Sequence, residues 1–221
     1  MMINRTMLLG GASALGLFAG AALLIQPAAA LTITFDDLTD TSAGFGGTPI
    51  PNGYQSLNWT NWNVLNTAEF TTNANAGLPN GAQNGTVSPP NVAYTLNGDL
   101  SIFSNNPFTF NSADLTAFWR NGLQVTVTGK LGGVEEDTTT VSLLATGPTL
   151  ENFNWSNIDE VDVFPIAGTG TRIYNGDGTQ VAMDNLTITP STVVTSEPST
   201  FAMMAAALAG LGLMRRRRRL A

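Results

Sequence analysis

Leu123-Gln124-Val125-Thr126-Val127-Thr128-Gly129 alternates apolar with polar side chains without a break. A period of two sends successive side chains to opposite sides of an extended backbone, so this stretch is a strand with one buried and one wet face. Gly132-Gly133 supplies a turn after it, and Thr138 to Leu144 returns as the partner strand. Glu135-Glu136-Asp137 then reads as the acidic, solvated tip of that hairpin.

The same pattern extends outward in both directions. Leu31-Thr32-Ile33-Thr34-Phe35 alternates and is closed by Asp36-Asp37, and Tyr54 to Leu65 is aromatic and extended. Val92 to Leu96 is followed by Asn97-Gly98, a hairpin signal that pairs it with Leu100 to Phe103. Phe108 to Phe110, Leu115 to Trp119, Phe153 to Trp155, Ile158 to Phe164 and Val181 to Ile188 add further strands. No long stretch between the two ends has helical periodicity. Many short strands with Gly, Asn and Pro turns predict an all-β sandwich over residues 31–190. Residues 72–91 are nearly all Asn, Gly, Ala, Pro and Ser, a long loop that is either solvated or a source of amides for sugar hydroxyls.

The ends differ in kind. Arg5, an apolar run from Met7 to Ile25 and the small residues Ala28-Ala29-Ala30 make residues 1–30 a secretory signal peptide, handled by the Sec export machinery. Residues 191–200 are a Ser, Thr and Pro spacer that carries Glu197, Pro198 and Ser199. Residues 201–214 are apolar or small, and Arg215, Arg216, Arg217, Arg218 and Arg219 dominate the basic tail at 215–221. An apolar run beside an arginine block enters the bilayer and leaves the cations on the cytoplasmic side. Fourteen residues are fewer than the roughly 20 of a comfortable span, so the transmembrane helix is short.

Residues 31–197 hold only Arg120, Lys130 and Arg172 against all sixteen carboxylates, a formal balance of −13. That charge repels nucleic acid and anionic headgroups. The chain contains no cysteine and no histidine, which removes the disulfide framework, the usual general base of serine and cysteine hydrolases, and zinc's preferred ligands.

Glu197-Pro198-Ser199-Thr200, the apolar run with Gly210-Leu211-Gly212-Leu213, and the arginine block together resemble the PEP-CTERM sorting signal of Gram-negative surface proteins. Ser196 stands where that family usually has its first proline. The resemblance implies recognition by an exosortase, a membrane-bound cysteine transpeptidase, and a setting in the exopolysaccharide or biofilm matrix. Within the domain, Leu123 to Gly129, Asn154-Trp155-Ser156-Asn157-Ile158-Asp159 and Met183-Asp184-Asn185-Leu186 resemble the galactose-binding-like jelly roll of carbohydrate-binding modules. That likeness implies adjacent first and last strands with a structural Ca2+ between them, to which Asp36 or Asp37 and Asp184 would contribute oxygen ligands.

Four tryptophans are the candidates for stacking on sugar. Trp119 and Trp155 lie in regular strand patterns and read as core. Trp59 and Trp62 are three apart in an extended stretch, so they are expected on opposite faces, one buried and one free to bind a polysaccharide. The expected function is a non-enzymatic structural or carbohydrate-binding protein of the cell surface. The alternative is a secreted glycan-active enzyme using two carboxylates drawn from Asp36, Asp37, Glu151, Asp159, Glu160 and Asp184. The tail generates its own test. Intact-mass measurement of protein recovered from the cell surface should show a chain lacking Arg215 to Arg219, and recovery with the arginines attached contradicts exosortase processing.

Overall fold

The structure, a computed structural model, describes residues 28–96 and 100–191. Residues 1–27 of the stretch expected to be a signal peptide, the expected Asn97-Gly98 turn and the tail from Glu197 to Arg219 lie outside the described residues. Among the described residues no helix is long and apolar enough to cross a membrane.

The fold is all-β and its strand pairs are antiparallel. Strand β1 spans Leu31–Ile33, β2 Thr48–Pro49, β3 Asn58–Thr60, β4 Trp62–Asn66, β5 Asn91–Thr95 and β6 Ser101–Ala117. Strand β7 spans Arg120–Asn121, β8 Leu123–Leu131, β9 Val134–Leu143, β10 Thr149–Pro165, β11 Thr171–Arg172 and β12 Val181–Pro190. Hydrogen bonding runs in the order β2-β4-β5-β12-β6-β10-β8-β9, with β1 added on β12 and β3 on β6. Strands β7 and β11 form a separate ribbon.

The alternation at Leu123 to Thr128 does what its period requires. Leu123, Val125 and Val127 are buried, and Thr126 and Thr128 face outward. Gly129 ends the run because Trp155 lies over it: a Cβ there would stand 3.0 Å from the indole and 3.3 Å from Ile158. The hairpin to β9 turns at Gly132-Gly133, both at positive φ. Glu135 to Asp137 belong to β9, where Glu135 pairs with Lys130 and Asp137 with Gly129 across a register shift at Glu136, so they lie in the ladder and not at a tip.

Two 17-residue strands, β6 and β10, form the spine. Their register shifts between Asn152 and Trp155, between Trp155 and Ile158, and between Ile158 and Glu160. Asn154 (φ 54°) and Asn157 (φ 58°) lie in the left-handed region at the first two shifts. Asparagine tolerates that region better than most side chains do, and each inserted residue bends and twists the strand. What reads in sequence as two strands, 153–155 and 158–164, is therefore one strand with bulges.

The hairpin expected across Asn97-Gly98 does not form as a pair. Strand β12 lies between β5 and β6, pairing Ala182 with Tyr94 on one side and with Thr116 on the other. Val181 to Asp184 are buried at every position, and a segment buried on both faces belongs in the middle of a sheet. The adjacency of the first and last strands does hold, since Leu31 pairs with Ile188.

The bulges carry a prediction. Valine at position 157 would place a β-branched side chain at positive φ, at a cost of about 1–3 kcal/mol. Urea denaturation should show Asn157→Val destabilised by that amount and Asn157→Gly close to wild type. Equal midpoints for the two variants would contradict the bulge.

Candidate functional site

The three aspartates expected to hold a cation are each engaged by the protein. Asp184 is fully buried, and its carboxylate accepts from the Val87 and Ser88 amides at 2.7 and 2.8 Å, the Ser88 hydroxyl at 3.0 Å and its own neighbour's amide at 2.8 Å. A carboxylate offers about four lone-pair sites, so nothing is left for a metal. Burial pushes the Asp184 carboxyl up, and the backbone donors of Ser88, Val87 and Asn185 pull it back. Asp36 accepts from the Asn91 amide at 3.1 Å, and Asp37 accepts from the Tyr54 hydroxyl at 2.6 Å. Among the described residues no three His, Cys, Asp or Glu side chains are placed together to hold a metal ion. The set does not fit calcium; Asp184 and Asp36 instead hold the two ends of the segment from Val87 to Asn91.

Trp59 and Trp62 both belong to the core, with 6% and 1% exposure, and their rings meet edge to face at 6.2 Å. Opposite faces were expected from unbroken alternation. Asn61 sits between them at φ 58°, so the chain turns a corner from β3 to β4 and both indoles point inward. Trp119 and Trp155 are the less buried pair. Trp119 donates to the Gln180 side chain at 3.0 Å, and Trp155 packs on Phe110 and Phe153. The asparagine-rich loop is mostly exposed but is pinned at buried points. Asn80 is buried and donates to the Thr71 hydroxyl at 2.9 Å, while Asn91 donates to the carbonyls of Phe35 and Leu38.

The concave surface with free chemistry lies on the outer face of β6, β10 and β8. Antiparallel register lines up Phe103, Glu160, Lys130 and Glu135 in one row across four strands. A second row holds Ser101, Asp162, Thr128 and Thr138, and a third holds Phe164, Thr126 and Thr140. Between these rows runs a groove of about 580 Å³ lined by Leu100, Ser101, Thr126, Thr128, Lys130, Glu160, Asp162, Val163 and Phe164. Ser101 and Glu160 also line a neighbouring hollow of about 370 Å³ with Phe103, Ser104, Gly133 and Asp159. Phe164 is 64% exposed and Phe103 36%, so two phenyl rings stand on a polar face.

Charge in the groove is organised around one cation. Lys130 and Asp162 form an ion pair. Hydrogen bonding to Asp162 holds the Lys130 ammonium above the ordinary lysine value. Burial pushes the Glu160 carboxyl up, the Asp162 carboxylate adds to the shift, and Lys130 opposes it. Asp159 is turned aside to accept from the Gly132 amide at 2.9 Å. The threonines form hydroxyl pairs across β8 and β9, Thr126 with Thr140 at 3.1 Å and Thr128 with Thr138 at 3.2 Å.

A second groove of about 520 Å³ lies among Leu78, Pro79, Arg172, Ile173, Tyr174 and Asn175. Its guanidinium is spent on holding the loop. Arg172 donates to the carbonyls of Tyr174 at 2.9 Å and Asn175 at 2.6 Å and pairs with Asp177. The sheet groove is therefore the better equipped of the two.

Of its residues, Asp159 and Glu160 are named in the sequence reading as carboxylate candidates, while Lys130, Asp162, Phe103 and Phe164 are not. The signal for Phe164 is phase: it alternates with Val161 and Val163 and so falls on the same face as Glu160 and Asp162.

No family model matches the chain, and no curated protein matches it. A solved DUF4465 family protein from Bacteroides caccae superposes with a TM-score of 0.48 at 12% identity, covering 78% of this chain and 97% of that one. TmCBM61, solved in complex with β-1,4-galactotriose, superposes with a TM-score of 0.31 at 9% identity, covering 64% of this chain and 95% of that one. At these levels of similarity neither carries a fold or a function over to this chain.

Because the Glu160 carboxyl titrates above its unfolded value, the folded state holds that proton more tightly, and this contribution is lost as pH rises through the folded value. Ionised Glu160 therefore costs stability at neutral pH. Glu160→Gln should raise the melting temperature at about pH 7 and lose the advantage at about pH 3, below the ordinary glutamate range. A variant no more stable than wild type at neutral pH would contradict the placement of Glu160 beside Asp162.

Proposed function

We propose that this chain is an exported, non-enzymatic glycan-binding component of the cell surface or exopolysaccharide matrix. Its β-domain is a jelly-roll sandwich, delivered by the Sec machinery and sorted by an exosortase through the tail at Glu197 to Arg219. The observation that carries the binding reading is the sheet groove, where hydroxyl, carboxylate and ammonium groups sit in register on rigid strands beside two exposed phenyl rings. Binding sites are concave, with a few placed polar groups beside apolar surface, and a pyranose offers hydroxyls at its edge and an apolar face to a ring.

The groove's other carboxylates favour binding over glycoside hydrolysis, because Asp162 is paired with Lys130 and Asp159 accepts from the Gly132 amide, so neither stands free to flank a scissile bond with Glu160.

A glycan array followed by a reducing-end assay tests the proposal. Binding without turnover is expected. Phe164→Ala should weaken binding by about 1–3 kcal/mol, by analogy with other flat rings stacked on aromatic side chains, and should leave melting unchanged because the ring is exposed. Turnover abolished by Glu160→Gln or Asp162→Asn would overturn it in favour of an enzyme.

A further inference from the structure

We infer that the groove takes an internal stretch of an uncharged glycan chain, several rings long, and rejects polyuronates. This rests on the glycan-binding reading of the same groove and specifies its ligand.

Length follows from the register. Phe103 pairs with Glu160, and Phe164 lies four residues farther along β10, about 13 Å at the rise of a strand. That separation exceeds one sugar ring and suits a short run of them, with a phenyl platform towards each end. The polar groups between the platforms repeat at strand spacing, so successive rings meet comparable partners: Ser101, Asp162 and Thr128 in one row, Glu160 and Lys130 in the next. The lining comes from the outer faces of adjacent strands together with Ser104, Gly133 and Asp159 beside them, which makes a trough along which a chain can continue.

Charge follows from the count. Lys130 is the cation of the groove and is already paired with Asp162. Glu160, and Glu135 opposite Lys130 on β9, add negative charge without a second cation, on a domain (residues 31–190) whose formal balance is −12. A polyuronate would bring further carboxylates to this surface, and like charges brought together disfavour a partner. Neutral hydroxyls, by contrast, can donate to every carboxylate present.

Isothermal titration of the exported protein tests this with glucose, galactose and mannose, their neutral β-linked hexasaccharides, and alginate. At least one hexasaccharide should bind about tenfold or more tighter than its monosaccharide, and alginate should not bind at low salt. Phe103→Ala and Phe164→Ala should each weaken that hexasaccharide about tenfold, as expected for loss of one stacking platform. Ile173→Ala, in the other groove, should not change it. A monosaccharide that matches its hexamer, or alginate that binds as well, overturns this inference and leaves the glycan reading standing. Loss of binding in Ile173→Ala but not in Phe164→Ala moves the site and overturns it too. No binding by any of these carbohydrates removes the glycan reading itself.

Discussion

Everything on the outer face of the sheet depends on the register between β6 and β10. A one-residue slip in a strand exchanges its two faces, so Glu160, Asp162 and Phe164 point outward only because the shifts around Asn154 and Asn157 leave Val161 and Val163 facing the core. The asparagines are what make those shifts cheap. Their side chains tolerate the left-handed region in which a β-branched residue would be strained. The same device turns the chain at Asn61 and at Asn185, where β12 passes from β5 to β1 as its neighbour. Long strands that bend at asparagine serve two parts of one core, and the groove sits just past the bend.

The domain separates its carboxylates by role. Asp184 is buried and fully satisfied, so it acts as an anchor for the Val87 to Asn91 segment. Glu160 and Asp162 are half-buried on one face of β10, where Asp162 pairs with Lys130 and Glu160 lies opposite the same lysine in the ladder. A packed anchor gains from having every lone pair used. A surface proposed to bind needs groups whose partners can be exchanged for those of a ligand, and on this face burial and the neighbouring Asp162 hold the Glu160 carboxyl above its ordinary value. The contrast explains why the most buried acid is the least suited to function here.

Local period was enough to read much of the fold. Leu123 to Thr128 announces a half-buried strand, and no competing pattern intervenes, so strand type and buried face follow directly. The positions of Trp59 and Trp62 could not be read the same way, because alternation assumes an unbroken strand and the corner at Asn61 is a matter of a single dihedral angle. The asparagines of residues 72–91 looked solvated by composition, yet Asn80 and Asn91 satisfy buried backbone and hydroxyl groups that only tertiary packing brings near. Asp184 looked like a ligand for the same reason: its donors lie almost a hundred residues earlier. Only a small part of the groove was within reach, through Glu160 and the neighbouring Asp159. Its partners Lys130 and Phe103 come from β8 and β6, strands far from β10 in sequence, and the pairing of β6 with β10 carries bulges that sequence period does not encode.

Mapping the bound surface tests the central claim most directly. Amide chemical shifts of the protein, followed during titration with neutral β-linked hexasaccharides, should move at Ser101 to Ser104, Thr126 to Lys130 and Asp159 to Phe164. Shifts confined to Leu78, Pro79 and the Arg172 to Asn175 loop, with the sheet face unmoved, would contradict it.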